Sequence, residues 1–146
     1  MIEVKIAGFS ELVVPPHGRR AFISYMIETE RLILPGYEEI GKGKDKTESV
    51  AVYTALIRAL ETIRKKKLSD EKIVIKSNSR IFVKQITKQS MVRIERLKPL
   101  FHKAKTLSEG MDIEFKWIPK RENKKAHNLI RGLRERERAK GEYFQL

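Results

Sequence analysis

The apolar spacing between residues 47 and 118 constrains the fold most. Val50, Tyr53, Ile57 and Leu60 recur at helical intervals, and Leu56 and Ile63 widen the stripe, which predicts an amphipathic helix. Thr47 suits its N-cap, and Arg64-Lys65-Lys66-Lys67 closes it with cations that favour the negative end of the helix dipole. Ile73-Val74-Ile75 then reads as a short, fully buried strand. Arg80 to Ile86 reads as a short helix, and a second helix covers about Val92 to Leu107. Ile113, Phe115 and Trp117 alternate as another strand, and a final helix runs from Arg121 onward. Strands separated by helices pair in parallel through crossovers, so this half of the chain demands a parallel sheet covered by helices.

The first half follows a different rule. Ile2, Val4 and Ile6 alternate with Glu3 and Lys5, a strand with one face buried. Val13-Val14-Pro15-Pro16-His17-Gly18 is a turn cluster, Ala21 to Ile27 a second strand, and Glu28-Thr29-Glu30-Arg31 a tight connection. Arg31 to Ile40 reads as a third strand interrupted by Pro35-Gly36, and Gly41 to Lys46 as a flexible basic loop. Three strands joined by short links predict an antiparallel meander. The order is βββαβααβα, an α/β class chain. It predicts a mixed five-stranded sheet, three strands antiparallel and two added in parallel, with helices on both faces. One domain over residues 1–146 is expected from this length, with a charged C-terminal helix or tail over about 134–146. Within it, Arg134-Glu135-Arg136-Glu137-Arg138 alternates in sign, which suggests a self-paired exposed helix, and Tyr143-Phe144-Gln145-Leu146 is an apolar end suited to docking.

Charge narrows the partner. Lys and Arg number 32 against 19 acids, a net charge of +13, and such an excess favours a polyanion and releases counterions on binding. There is no cysteine, so disulfides and thiolate metal sites are excluded. No apolar run approaches the roughly 20 residues that span a bilayer, and no membrane partner is expected. Met1-Ile2-Glu3-Val4-Lys5 lacks a signal-peptide layout, so the expected location is cytoplasmic.

Three local motifs carry a resemblance. Thr47-Glu48-Ser49-Val50-Ala51-Val52-Tyr53-Thr54-Ala55-Leu56 opens a helix, Asn78-Ser79-Arg80-Ile81-Phe82-Val83-Lys84-Gln85 follows a strand, and Trp117-Ile118-Pro119-Lys120-Arg121-Glu122-Asn123-Lys124-Lys125-Ala126-His127 leads from a strand into a helix. In order and context they resemble the active-site segments of the ribonuclease H family, most of all its short archaeal and bacterial type I members. The resemblance covers nearly the whole length. It implies a ribonuclease H-like fold and, in the family, four carboxylates that hold two Mg²⁺ ions about 4 Å apart. The corresponding positions here are Ala7, Val52, Asn78 and His127. Ala7 and Val52 have no donor, Asn78 has a neutral carbonyl, and an imidazole suits zinc or nickel better than magnesium. A relocated site would have to draw on Glu48, one turn before Val52, or on Glu11. A transition-metal site would join His127 to His17 or His102. The reading is of a chain that is not an enzyme, with no catalytic residue, metal or cofactor.

What remains is binding. The resemblance implies a groove for an RNA–DNA hybrid or double-stranded RNA, read by shape and 2′-hydroxyls. Loss of the carboxylates removes a repulsion toward phosphate. Candidate contacts are Arg19 and Arg20 at the second strand, Lys42, Lys44 and Lys46 on the basic loop, and Arg80, Lys84 and Lys88 on one helical face. Lys120, Arg121, Lys124 and Lys125 frame the last motif. Trp117 is expected as a core anchor, Pro119 as a strand stop and Asn123 as a helix cap. A structural role in a ribonucleoprotein particle or protein complex is the competing reading, and a surviving metal-dependent nuclease is the other.

Overall fold

The computed structural model describes residues 1–15 and 18–139. The strands are β1 (Ile2–Leu12), β2 (Arg19–Glu28), β3 (Ile33–Lys42), β4 (Ile73–Ser77) and β5 (Ile113–Trp117). The helices are α1 (Glu48–Lys65), α2 (Arg80–Ile86), α3 (Lys98–Leu107) and α4 (Lys124–Ala139), with single 3₁₀ turns at Glu95–Leu97 and Lys120–Glu122. This is the expected order. The sheet runs β3-β2-β1-β4-β5, antiparallel across the first three and parallel where β4 joins β1 and β5 joins β4.

The parity of β1 explains the two layers. Ile2, Val4 and Ile6 are buried with Ala51, Leu56, Ile57, Leu60 and Ile63 of α1, and outside α1 pack Ala104 of α3 and Leu97 of the 3₁₀ turn before it. The odd positions serve the opposite face: Ala7 and Phe9 pack with Phe22 of β2 and with Ala126, Ile130 and Leu133 of α4. Helices therefore cover both faces. A fully buried Leu or Ile contributes about 1.5–3 kcal/mol, so the α1 interface is the main source of stability. Tyr53, Phe82 and Phe115 link α1, α2 and β5 by edge-to-face contacts with centroids 5.0 and 6.3 Å apart. The Tyr53 hydroxyl donates to Gln85 at 2.7 Å, and burial pushes its pKa up to about 12.

Several boundaries differ from expectation for local reasons. The stretch expected as one helix over Val92 to Leu107 starts as a helix only at Lys98, preceded by the 3₁₀ turn. Pro99 occupies the first turn of α3, where its missing N–H costs nothing. The last helix begins at Lys124 because Pro119 leads first into a 3₁₀ turn. Arg134 to Arg138 is not simply self-paired: Arg134 donates to Glu11 at 2.6 Å and stacks on Phe9, and Arg136 lies over Tyr37. His17, Lys140 and the Tyr143-Phe144-Gln145-Leu146 end lie outside the described residues. Among the described residues, no helix is long and apolar enough to cross a membrane.

Candidate nucleic-acid interface

Four elements converge where β1 and β4 part. Ladder pairing between them ends at Lys5 and Lys76, so Ile6 beyond it has no partner on β4. Asn123 supplies one: its Nδ2 donates to Ile6 O at 2.8 Å and to Asn78 Oδ1 at 2.8 Å. Asn123 is fully buried, and its side chain does not make the helix cap expected from sequence; it clamps α4 to β1 and β4. His127 completes the cluster, with Nε2 2.9 Å from Asn78 Oδ1. Because that oxygen accepts, the imidazole presents its proton at Nε2. Burial, then the nearby Lys120 charge, hold the His127 pKa below its ordinary value, so the ring is neutral at pH 7.

The other two positions are packed, not polar. Ala7 is 2% exposed beneath α4, and Val52 is 4% exposed within the α1 core. Gly8 lets β1 and α1 touch: a Cβ there would sit 2.5 Å from Val52 N and 2.8 Å from Ala51 C. The two-magnesium cluster implied by the family does not fit this donor set. Two positions offer no donor, and Asn78 Oδ1 is already shared by Asn123 and His127. Neither rescue assembles among the described residues, which do not include His17. Glu48 is exposed at the start of α1, Glu11 is bound to Arg134, and His102 lies on α3 against Phe101. Among the described residues, no group of three or more His, Asp or Glu could hold a metal.

The cations divide. Arg80, Lys84 and Lys88 of the α2 region, and Lys120, Arg121 and Lys124 of the last motif, are exposed on the two segments that flank Asn78 and His127. Lys42 is exposed at the end of β3 and Lys44 on the loop before α1, and Lys46 is half-buried beside Asp45 at 3.2 Å. Ser10 Oγ donates to the Lys46 carbonyl, which ties this loop to β1 about 10 Å along the strand from Ala7.

Three candidates have other work. Arg20 is a correction: it is 2% exposed, 3.4 Å from Glu39, and cannot reach a phosphate. Arg19 donates from Nε to Ser10 Oγ at 2.7 Å and holds the loop. Lys125 is exposed but pairs with Glu28 at 2.9 Å. Trp117 is the second correction, since it is not a core anchor. At 37% exposure it ends β5, donates from Nε1 to the Asn78 carbonyl at 3.1 Å, and carries the Arg80 guanidinium 3.8 Å above its ring. Its alternation with Ile113 and Phe115 suggested burial, but the buried core ends before the strand does.

A five-stranded sheet of order β3-β2-β1-β4-β5, with the site between β1, β4, α1 and α4, defines a ribonuclease H-like domain. The chain belongs to the reverse transcriptase-like family, whose model matches residues 35–131. It is similar to LC11-RNase H1, a compost metagenome protein solved in complex with RNA/DNA hybrid, at 29% identity and a TM-score of 0.74 over 88% of this chain and 93% of that one. RNase H1 from Halobacterium salinarum shares the fold at 22% identity, with a TM-score of 0.73 over 88% of this chain and 92% of that one. So does the N-terminal RNase H domain of Rv2228c from Mycobacterium tuberculosis, at 22% identity and a TM-score of 0.71 over 88% and 91%. These matches correct the expectation of a non-enzyme: the solved neighbours are ribonucleases H1, and the family points to an enzyme. The family and the donor set at Ala7, Val52, Asn78 and His127 therefore point in different directions.

Proposed function

We propose that this chain binds an RNA–DNA hybrid across the face that carries Asn78 and His127, with Arg80, Lys84, Lys88, Lys120, Arg121 and Lys124 meeting the two backbones. One observation carries the reading: a neutral centre, with no carboxylate at its four key positions, lies between two exposed basic segments. Phosphates can cross such a centre without a metal to screen them. Lys42 and Lys44 extend the same attraction along the groove past α1. The likeness to a hybrid-bound ribonuclease H1 supports the ligand class. A hybrid is distinguished by groove shape and by 2′-hydroxyls on one strand only.

The test is binding in EDTA, measured by anisotropy, for hybrid, duplex RNA, duplex DNA and single-stranded RNA of one sequence. Tightest binding of the hybrid is expected. Equal affinity for all four would reduce the interface to nonspecific charge, and no binding at physiological salt would refute it. Parallel reactions with Mg²⁺ or Mn²⁺ score hydrolysis, and Asn78→Ala and His127→Ala assign any product to this site.

A further inference from the structure

The chain has a single tryptophan, and it stands in the open beside the site. Its surroundings fix what it can offer. The Trp117 N–H is committed to the Asn78 carbonyl at 3.1 Å, so the indole has no donor left for a phosphate or sugar. One ring face is covered by Arg80, 3.8 Å from the centroid. The backbone under Arg80 is fixed, because it is the first residue of α2 and Ser79 caps that helix by accepting from Phe82 N. Ring and guanidinium thus form a stacked, charged slab adjoining Asn78, whose side chain meets His127.

We propose that Arg80 and Trp117 form a stacking site for an unpaired nucleobase, so that the chain prefers a hybrid with a single-stranded overhang to a blunt one. This rests on the hybrid-binding reading and specifies its substrate. A ring whose N–H is spent presents only its π surface and edge. Bases inside a duplex are covered on both faces and a terminal pair is tied to its partner strand, so an unpaired base is the one free to complete the stack. The guanidinium above the ring adds a positive charge where the backbone of that nucleotide must turn, the combination of stacking and charge that suits single strands. Arg80 belongs to the same exposed segment as Lys84 and Lys88, so a strand leaving the duplex there stays on a basic surface.

The single tryptophan reports its own occupancy. The full chain is titrated at fixed salt with a blunt hybrid, with the same hybrid bearing a short overhang, and with an overhang of equal charge made abasic. Binding is read by anisotropy and by Trp117 emission. The overhang is expected to tighten binding roughly tenfold and to quench Trp117, and the abasic overhang to do neither. The ratio of overhang to blunt affinity stays at about tenfold in Trp117→Phe and falls to about one in Trp117→Ala, whatever the loss on the blunt hybrid. Equal affinities for blunt and overhang hybrids with unchanged emission overturn the stacking site and leave hybrid binding intact. Tightening that persists with the abasic overhang also overturns it, because charge alone then accounts for the gain. Failure of every duplex to bind removes both readings.

Discussion

Neighbouring residues in this chain meet opposite fates, and the causes are local. Arg19 and Arg20 differ by one position on β2, and strand parity sends one to the loop and the other inward beside Glu39. Asn123 is the reverse case, a polar residue in a basic turn that becomes wholly buried because Ile6 O needs a donor. Its removal leaves the buried Ile6 O without a donor and Asn78 Oδ1 with His127 alone. Asn123→Ala should therefore lower stability by about 2–3 kcal/mol with an unchanged urea m-value; a loss under about 0.5 kcal/mol would show that water replaces the amide. His127 makes a pH prediction. Its folded pKa lies below the ordinary 6.5, so the unfolded chain takes up the proton first. The contribution is present above pH 6.5 and is lost as pH falls from there through the folded value. Between pH 7 and 5, wild type should lose more stability than His127→Gln in denaturant titrations. Parallel curves would mean that the ring titrates freely.

The contact of β1 with α1 positions the site at the level of elements, and Gly8 makes that contact possible. A methyl group there would meet the backbone of Val52 and Ala51, which cannot swing aside as a side chain can. Gly8→Ala should cost about 3 kcal/mol, the upper end for overpacking, and should reduce hybrid affinity by displacing α1 and the basic loop before it. Thermal melts and the anisotropy assay check both halves; a melt unchanged within error would contradict the packing. The order of elements was legible in the sequence because period-2 and helical spacing alternate cleanly, as in Val50, Tyr53, Ile57 and Leu60. The start of α3 was not, because Val92 and Ile94 fit a helical stripe and only Pro99 argued against it. The extension of β1 to Leu12 was also hidden: Ser10 and Glu11 look like loop residues until Lys46 and Arg134 appear as their partners. Those partners lie far along the chain, where spacing carries no signal.

At the scale of the whole molecule, a net charge of +13 has meaning only once its distribution is known. Asn78, Arg80, Lys120 and His127, singled out in sequence, come from segments that the fold brings together. Sequence missed which cations were already engaged, as with Arg20 and Lys125, and it missed that Trp117 stays outside the core. Ion pairs between distant elements decide both points. The remaining exposed cations predict a salt dependence. If about six phosphates are neutralised, the plot of log K against log salt should have a slope near −5 on a duplex. Lys120→Ala, beside His127, should reduce the magnitude of that slope by about 1 and weaken all duplexes alike. Lys65→Ala is the control: it removes an equal charge from the last turn of α1, thirteen residues and more than three turns beyond Val52, and should leave the slope unchanged. If both variants shift it equally, net charge and not the face around Asn78 drives binding. If only Lys120→Ala does, the attraction is local to that face.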